Sequence, residues 1–226
     1  MTQHEAAPLS RRERLRIQTL DEIEQHAFEL VDAGGAHAVS LADIAKTMGM
    51  SAPALYRYFP SRDALLASLV SAAYADLAHT LEQTESDTAQ LAPEVRLRKI
   101  TAAYRQWALE RPKRYTMVFG ERPDDIRDTT AAITTINRGM QVLLTAVVDL
   151  PHTRPPGSNE QLDAQLSQWA GDREQLDAQP HDLHLALVLW TRLHGVVGLE
   201  IIGAFNDMHV DAGLLLDAEI DAIIHT

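Results

Sequence analysis

Apolar side chains recur along this chain at helical spacing. Ile23, Ala27, Leu30 and Val31 fall at i, i+4, i+7 and i+8, the stripe a helix lays against a core, and comparable stripes continue to the end. No stretch alternates with period two for long enough to form a sheet, so the pattern predicts an all-α protein. A first helix should span about Arg12 to Asp32 and end at Gly34-Gly35, where a left-handed residue costs little. Ser40 is placed to cap a second, short helix from Leu41 to Met48, with Asp43 at the capping-box position, and Gly49 stops it. Ser51 caps a third, with Pro53 in its first turn where a missing N–H is harmless. That helix runs to about Tyr58 or Phe59 before Pro60, and Ser61 caps a long fourth helix through roughly Thr80.

Residues 86–94 (SDTAQLAPE) read as a turn, and further helices are drawn at about 94–110, 112–119, 124–148, 183–206 and 211–224. Between them Pro151, Pro155, Pro156 and Pro180 bracket a polar stretch holding EQLDAQ twice, at 160–165 and 174–179. A short amphipathic helix carrying Leu162, Leu166, Trp169 and Leu176 is one reading of that stretch; a mobile loop is the preferred one. Two six-residue copies do not make a repeat architecture.

Composition sharpens this picture by exclusion. With 226 residues and 46% hydrophobic side chains the chain has enough material for one large or two small cores. The absence of cysteine removes disulfide frameworks, thiolate nucleophiles and cysteine-based zinc sites. MTQHEAAPLSRRERLR lacks the apolar stretch of a signal peptide, and no long uncharged apolar run occurs after it, so a soluble, cytoplasmic protein without a membrane segment is expected. The formal charge of −12 argues at first against a polyanionic partner. Divided at Arg62, however, the chain holds seven basic against eight acidic residues before and thirteen against twenty-four after. The acidity lies almost wholly behind residue 62, while Arg11, Arg12, Arg14 and Arg16 form a local basic arm opposed only by Glu13. That arm is either a disordered extension or a docking element for phosphates or a minor groove.

Residues 40–62 (SLADIAKTMGMSAPALYRYFPSR) hold the candidate chemistry: two short capped helices joined at a glycine turn, the arrangement of a helix-turn-helix. Ile44, Ala45, Met48, Leu55 and Phe59 supply an apolar side, leaving Ala52, Pro53, Ala54, Tyr56, Arg57 and Tyr58 for an outer face or partial burial. Arginine can pair with guanine, tyrosine hydroxyls reach phosphates, and alanine or proline can meet thymine methyls. Tyr56 could instead plug the core, and Arg57 could be a solvated charge. At these residues the chain resembles the TetR family of transcriptional regulators. The likeness rests on the Gly-rich end of the first helix, Leu-x-x-Ile-Ala-x-x-Met-Gly-Met-Ser, the Leu55-Tyr56-Arg57-Tyr58-Phe59 core and Ser-Arg-Asp-Ala-Leu-Leu at the start of the fourth helix.

The resemblance implies an N-terminal three-helix DNA-binding domain over 12–75, its helix-turn-helix at about 40–59, and a C-terminal helical ligand-binding and dimerisation domain over 80–226. It places Ser51, Ala52, Pro53, Tyr56, Arg57 and Tyr58 at groove and backbone contacts, and Ser40 and Arg62 at phosphates. Pro60-Ser61-Arg62 departs from the family's common pair of lysines and leaves one charge at that corner. Tyr104 to Ala108, Arg111 to Phe119 and Trp190 to Phe205 resemble a subgroup named for a Trp-His-Gly motif. The resemblance further implies a homodimer on a pseudo-palindromic double-stranded DNA operator, released by a small-molecule effector, with no cofactor.

The residues add their own argument for a dimer. Leu183 to Phe205 is apolar nearly all round, and Gly195, Gly198 and Gly203 would let another helix approach, so with 211–224 this pair could form half of an intermolecular four-helix bundle. Candidate effector contacts are Tyr104, Trp107, Tyr115, Met117, Phe119, Met140, Leu143, Trp190 and His194, although any of them could be plain core. Activation instead of repression fits the same fold. An enzyme would need a Gly-x-Ser-x-Gly elbow, a phosphate loop or a His-Glu-x-x-His, none of which occurs; His181, Asp182 and His184 are the best metal candidate and a weak one.

Overall fold

The computed structural model describes residues 10–120, 130–151, 160–171 and 178–225, and every regular element among them is helical. In order these are α1 (Arg11–Gly34), a single 3-10 turn (Ala36–Ala38), α2 (Leu41–Thr47), α3 (Ala52–Tyr56), α4 (Arg62–Thr88), α5 (Pro93–Glu110), α6 (Pro112–Phe119), α7 (Thr130–Val148), α8 (Glu160–Gly171), α9 (Pro180–Ile201) and α10 (Ala212–Ile224).

Three boundaries depart from expectation for identifiable reasons. α4 continues past Thr80 because the hydroxyls of Thr80, Thr84 and Thr88 each bond the carbonyl four residues back, which satisfies those side chains inside a helix. α9 ends at Ile201, not 206, because Gly203 adopts φ +77°. The Ala204 N–H then donates to the Leu199 carbonyl at 2.9 Å, the closing bond of a Schellman turn. The preferred loop over 150–182 is corrected at residues 160–171, which form α8; Glu160 and Asp163 in its first turn suit the helix dipole. Leu176 and the start of the helix drawn from 124 lie outside the described residues.

The described residues form two compact units. One holds the residues up to Ala72 together with Lys113 to Gly120; the other holds Ala73–Pro112 and the residues from Thr130 onward. α6, which a division near residues 75–80 assigns to the C-terminal part, therefore groups with the N-terminal helices. In the first unit Ile23, Val31, Ile44, Leu55, Leu65 and Leu69 are essentially without exposure, and each such side chain contributes about 1.5–3 kcal/mol by burial. α6 adds Tyr115, Met117 and Val118 and is fastened to α1 by Arg114. Its guanidinium donates to both Asp32 carboxylate oxygens at 2.8 and 2.6 Å and lies 4.2 Å over the Phe28 ring.

In the second unit α9 is the central helix, with Leu185, Leu189, Leu193 and Val197 fully covered. Long-range ion pairs tie the helices around it. Arg105 donates to both oxygens of Glu200 at 2.8 and 2.5 Å, Arg138 to both of Glu82 at 2.8 and 2.6 Å, and Arg96 to Asp149. The hydrogen bonds from Arg138 hold Glu82 below the usual carboxylate range, and those to Glu200 raise Arg105. α4 is long and apolar enough to cross a membrane by length and composition, but half of its most apolar window is buried in the protein, as in a core helix.

Candidate functional site

The α2–α3 pair is built by its caps. Ser40 Oγ accepts the Asp43 N–H at 3.3 Å to start α2, and Gly49 at φ +65° turns the chain into α3, a conformation that a β-carbon would strain. Leu55 and Phe59 face the core at 0% and 6% exposure, while Tyr56 stands 51% exposed. Tyr56 is therefore no core plug. Ser51, Ala52, Pro53 and Arg57 are exposed beside it, and Tyr58 is half-buried with the Arg16 guanidinium 5.3 Å from its ring centre. This is a small, convex surface of hydroxyl, methyl and guanidinium groups on a rigid core.

Arg62 is turned inward. Its Nε donates to the Val39 carbonyl at 3.0 Å and its Nη2 to the Ala36 carbonyl at 2.7 Å, so it fastens the start of α4 to the connection between α1 and α2. The Ser10 and Glu13 capping box folds the basic arm into α1: Ser10 N–H donates to Glu13 Oε2 at 2.8 Å and Glu13 N–H to Ser10 Oγ at 3.2 Å. These bonds lower the Glu13 pKa. Arg11, Arg12 and Arg16 consequently line a cleft of about 590 Å³ with Arg57 and Tyr58.

In the second unit α7, α8 and α9 border a cavity of about 410 Å³ lined by Met140, Leu144, Leu162, Leu166, Trp169, Leu183, Ala186, Leu187 and Trp190, with Gln165 at its edge. No charged side chain lines it. Behind Trp190, His194 stacks on the indole at 5.4 Å between ring centres, and burial holds its pKa below the ordinary value, keeping the imidazole neutral. Tyr104 Oη lies 3.5 Å from His194 Nδ1. A more open groove between α5 and α10, about 510 Å³, is lined by Arg98, Arg105, Glu110 and Asp217 among others, and both of its arginines are held by carboxylates.

Comparison with known families accounts for both ends of this arrangement. A family model for bacterial regulatory proteins of the tetR family matches residues 23–69, and one for the tetracyclin repressor-like C-terminal domain matches residues 97–223, more than half of the chain. The chain belongs to the TetR family. HTH-type transcriptional regulator Mb1846 of Mycobacterium bovis is 28% identical over 215 residues, covering 89% of this chain and 88% of the relative. The crystal structure of SCO4313, named as a regulatory protein, is 36% identical and covers 95% of this chain and 99% of that one, with a TM-score of 0.77. PfmR of Thermus thermophilus, a TetR family transcriptional regulator, shares the fold with a TM-score of 0.54 at 18% identity, covering 89% and 96% of the two chains. This TetR-family chain is a DNA-binding transcriptional regulator, and such proteins are typically ligand-responsive repressors that bind their operators as dimers.

Within that family frame, the expected effector contacts separate. Met140 and Trp190 line the cavity of the second unit, with Tyr104 and His194 behind Trp190. Leu143 is buried at 2% exposure without lining it. Trp107 is 2% exposed and its indole N–H donates to Asp76 at 2.8 Å, a role in the packing of α4 and α5. Tyr115, Met117 and Phe119 lie on α6 in the first unit, with the Tyr115 and Phe119 rings 4.8 Å apart, and are not brought to the cavity. The sequence reading missed Leu162, Leu166 and Trp169 as cavity wall, although their i, i+4, i+7 spacing was a helical signal. It also missed the Ser10-x-x-Glu13 box. His181 pairs with Asp182 at 3.3 Å, and among the described residues no group of three or more potential ligands gathers for a metal.

Proposed function

We propose that this regulator is a repressor whose α3 face reads an operator and whose α7–α9 cavity holds an uncharged, largely apolar effector that releases it. The observation that carries this reading is the cavity itself, walled by two of the chain's three tryptophans and by aliphatic side chains, with no charge among its lining residues. Such a site rewards apolar surface and penalises an ion that would lose its water. Ser51, Ala52, Pro53, Tyr56, Arg57 and Tyr58 supply the groove and backbone contacts. Ser40 sits at the α2 N-terminus for a phosphate, and Arg62 retains only Nη1 for one. α4 contributes residues to both units in one unbroken helix, which supports it as the element whose position the effector biases. Affinity for DNA then falls by the effector's differential binding to the two states.

A homodimer through α9 and α10 is supported by apolar side chains left uncovered there. Ile202 is 73%, Leu214 69% and Leu199 45% exposed, and Gly195 has no atom within 4 Å of where a β-carbon would stand. A two-fold dimer implies a pseudo-palindromic operator. The test is a titration with a library of neutral apolar compounds, read by tryptophan fluorescence and in parallel by electrophoretic shift of the upstream intergenic DNA. Compounds that change the emission should release the DNA, and Trp169→Phe should remove part of the optical response. Compounds that bind at Trp169 and Trp190 yet leave DNA affinity unchanged would refute the effector role of the cavity.

A further inference from the structure

We propose that the cleft between the start of α1 and α3 clamps the sugar-phosphate backbone of one strand of duplex DNA, with Arg11, Arg12 and Arg16 as donors beside Arg57. The inference rests on the DNA-binding reading above and adds a second contact strip to it. Among the described residues, no carboxylate pairs with any of these four guanidinium groups; Arg16 has only the Tyr58 ring. In a chain of net charge −12, four unneutralised arginines on one cleft are not a sampling of average surface.

Their position also goes against helix stability. Arg11, Arg12 and Arg16 lie in the opening turns of α1, where the aligned peptide dipoles already present positive charge and acidic residues are favoured. The one acidic residue of the segment, Glu13, is engaged by Ser10 in the capping box and so does not neutralise them. A cost accepted at a site with no structural return marks a functional constraint.

The cleft's chemistry fits a strand of nucleic acid. Its rim carries guanidinium groups, which pair bidentately with phosphate oxygens, and Leu15, Met50 and Ala54 supply an apolar floor for the deoxyribose faces. This accounts for Leu15 standing 53% exposed on a helix whose other side is core. It also moves the flanking phosphate contact away from Arg62, whose Nε and Nη2 are committed to backbone carbonyls.

The test measures binding of the full-length protein to a short duplex of mixed sequence across a series of salt concentrations. Phosphate contacts are independent of sequence, so no operator is required. Arg11→Gln/Arg12→Gln should flatten the plot of log K against log salt by about 0.9 per lost contact, about eightfold weaker binding per contact near 0.1 M salt. Arg14→Gln removes an identical charge from the same helix but outside the cleft lining, and should change the slope much less. Glutamine preserves helix propensity, and circular dichroism confirms that each variant is folded. Equal effects from Arg14→Gln and the cleft variants would reduce the contribution to diffuse charge and overturn the proposal, as would an unchanged slope. Displacement of the duplex by polyglutamate as readily as by unlabelled duplex would make the cleft a general anion trap and overturn it equally. Loss of preference for any particular sequence, with the slope difference intact, would refute the regulator reading and leave the clamp standing.

Discussion

In the C-terminal unit Arg105 grips Glu200 through two hydrogen bonds, and Arg138 and Arg96 hold Glu82 and Asp149 across similar distances in sequence. Near the start of α1 and after α3, Arg11, Arg12, Arg16 and Arg57 hold no carboxylate among the described residues. One side chain thus serves two ends. Paired and half-buried, it fixes where helices lie; unpaired and exposed, it waits for a negative charge that the protein does not supply. Arg62 and Arg114 show that proximity to the reading surface does not decide the matter, since both are engaged internally. Partnership in the fold separates architectural arginines from functional ones, and neither composition nor net charge carries that information.

The largest effect should come from breaking the architectural class. Arg105→Ala leaves the Glu200 carboxylate, 19% exposed, without its partner, and part-burial of an uncompensated charge should cost about 2 kcal/mol of stability. Urea denaturation of Arg105→Ala and Arg11→Gln side by side tests the contrast, because the second should stay within about 0.5 kcal/mol of the parent. Equal stability of both variants would erase the distinction.

Arg57→Ala probes the functional class from the other side. The residue follows α3 directly and is exposed, so its removal should leave folding intact and weaken operator binding about tenfold, with a smaller loss on mixed-sequence duplex. Competition binding with the two duplexes reads this directly. An equal loss on both would assign Arg57 to phosphate alone and merge it with the α1 strip.

The head of the molecule was legible in sequence because its signals are local. Ser40, Gly49, Ser51 and Leu55 lie within one short stretch, and caps, a turn glycine and an apolar spacing are properties of neighbours along the chain. The cavity was not legible in that way. Its wall joins Met140, Leu166 and Trp190 from three helices, and nothing in the spacing of any one of them says which face meets the others. α8 was hidden by its glutamines and flanking prolines, which resemble a loop in composition even though Leu162, Leu166 and Trp169 keep helical intervals. Tyr115, Met117 and Phe119 have the composition of a pocket, but Arg114 on Asp32 and Phe28 draws their helix into the other core. Composition identifies a residue as buried; only tertiary partners say in which interior.

The smallest expected effect concerns the neutrality of the cavity's surroundings, the property that opposes it to the cationic cleft. Burial lowers the pKa of His194 below its ordinary 6.5, so on acidification through that value the unfolded chain takes up a proton that the folded state refuses. By linkage, the contribution of His194 to stability is complete above about pH 6.5 and declines as pH falls below it. His194→Gln keeps a polar side chain beside Trp190 and Tyr104 while removing the titration. The difference in Tm between parent and variant should therefore be constant at neutral and alkaline pH and move against the parent below pH 6.5. Parallel curves across that range would mean that His194 accepts its proton in the folded protein as easily as in water. A cation could then stand directly behind Trp190, and the separation of the molecule into a charged cleft and an uncharged cavity would fail at the residue meant to guard it.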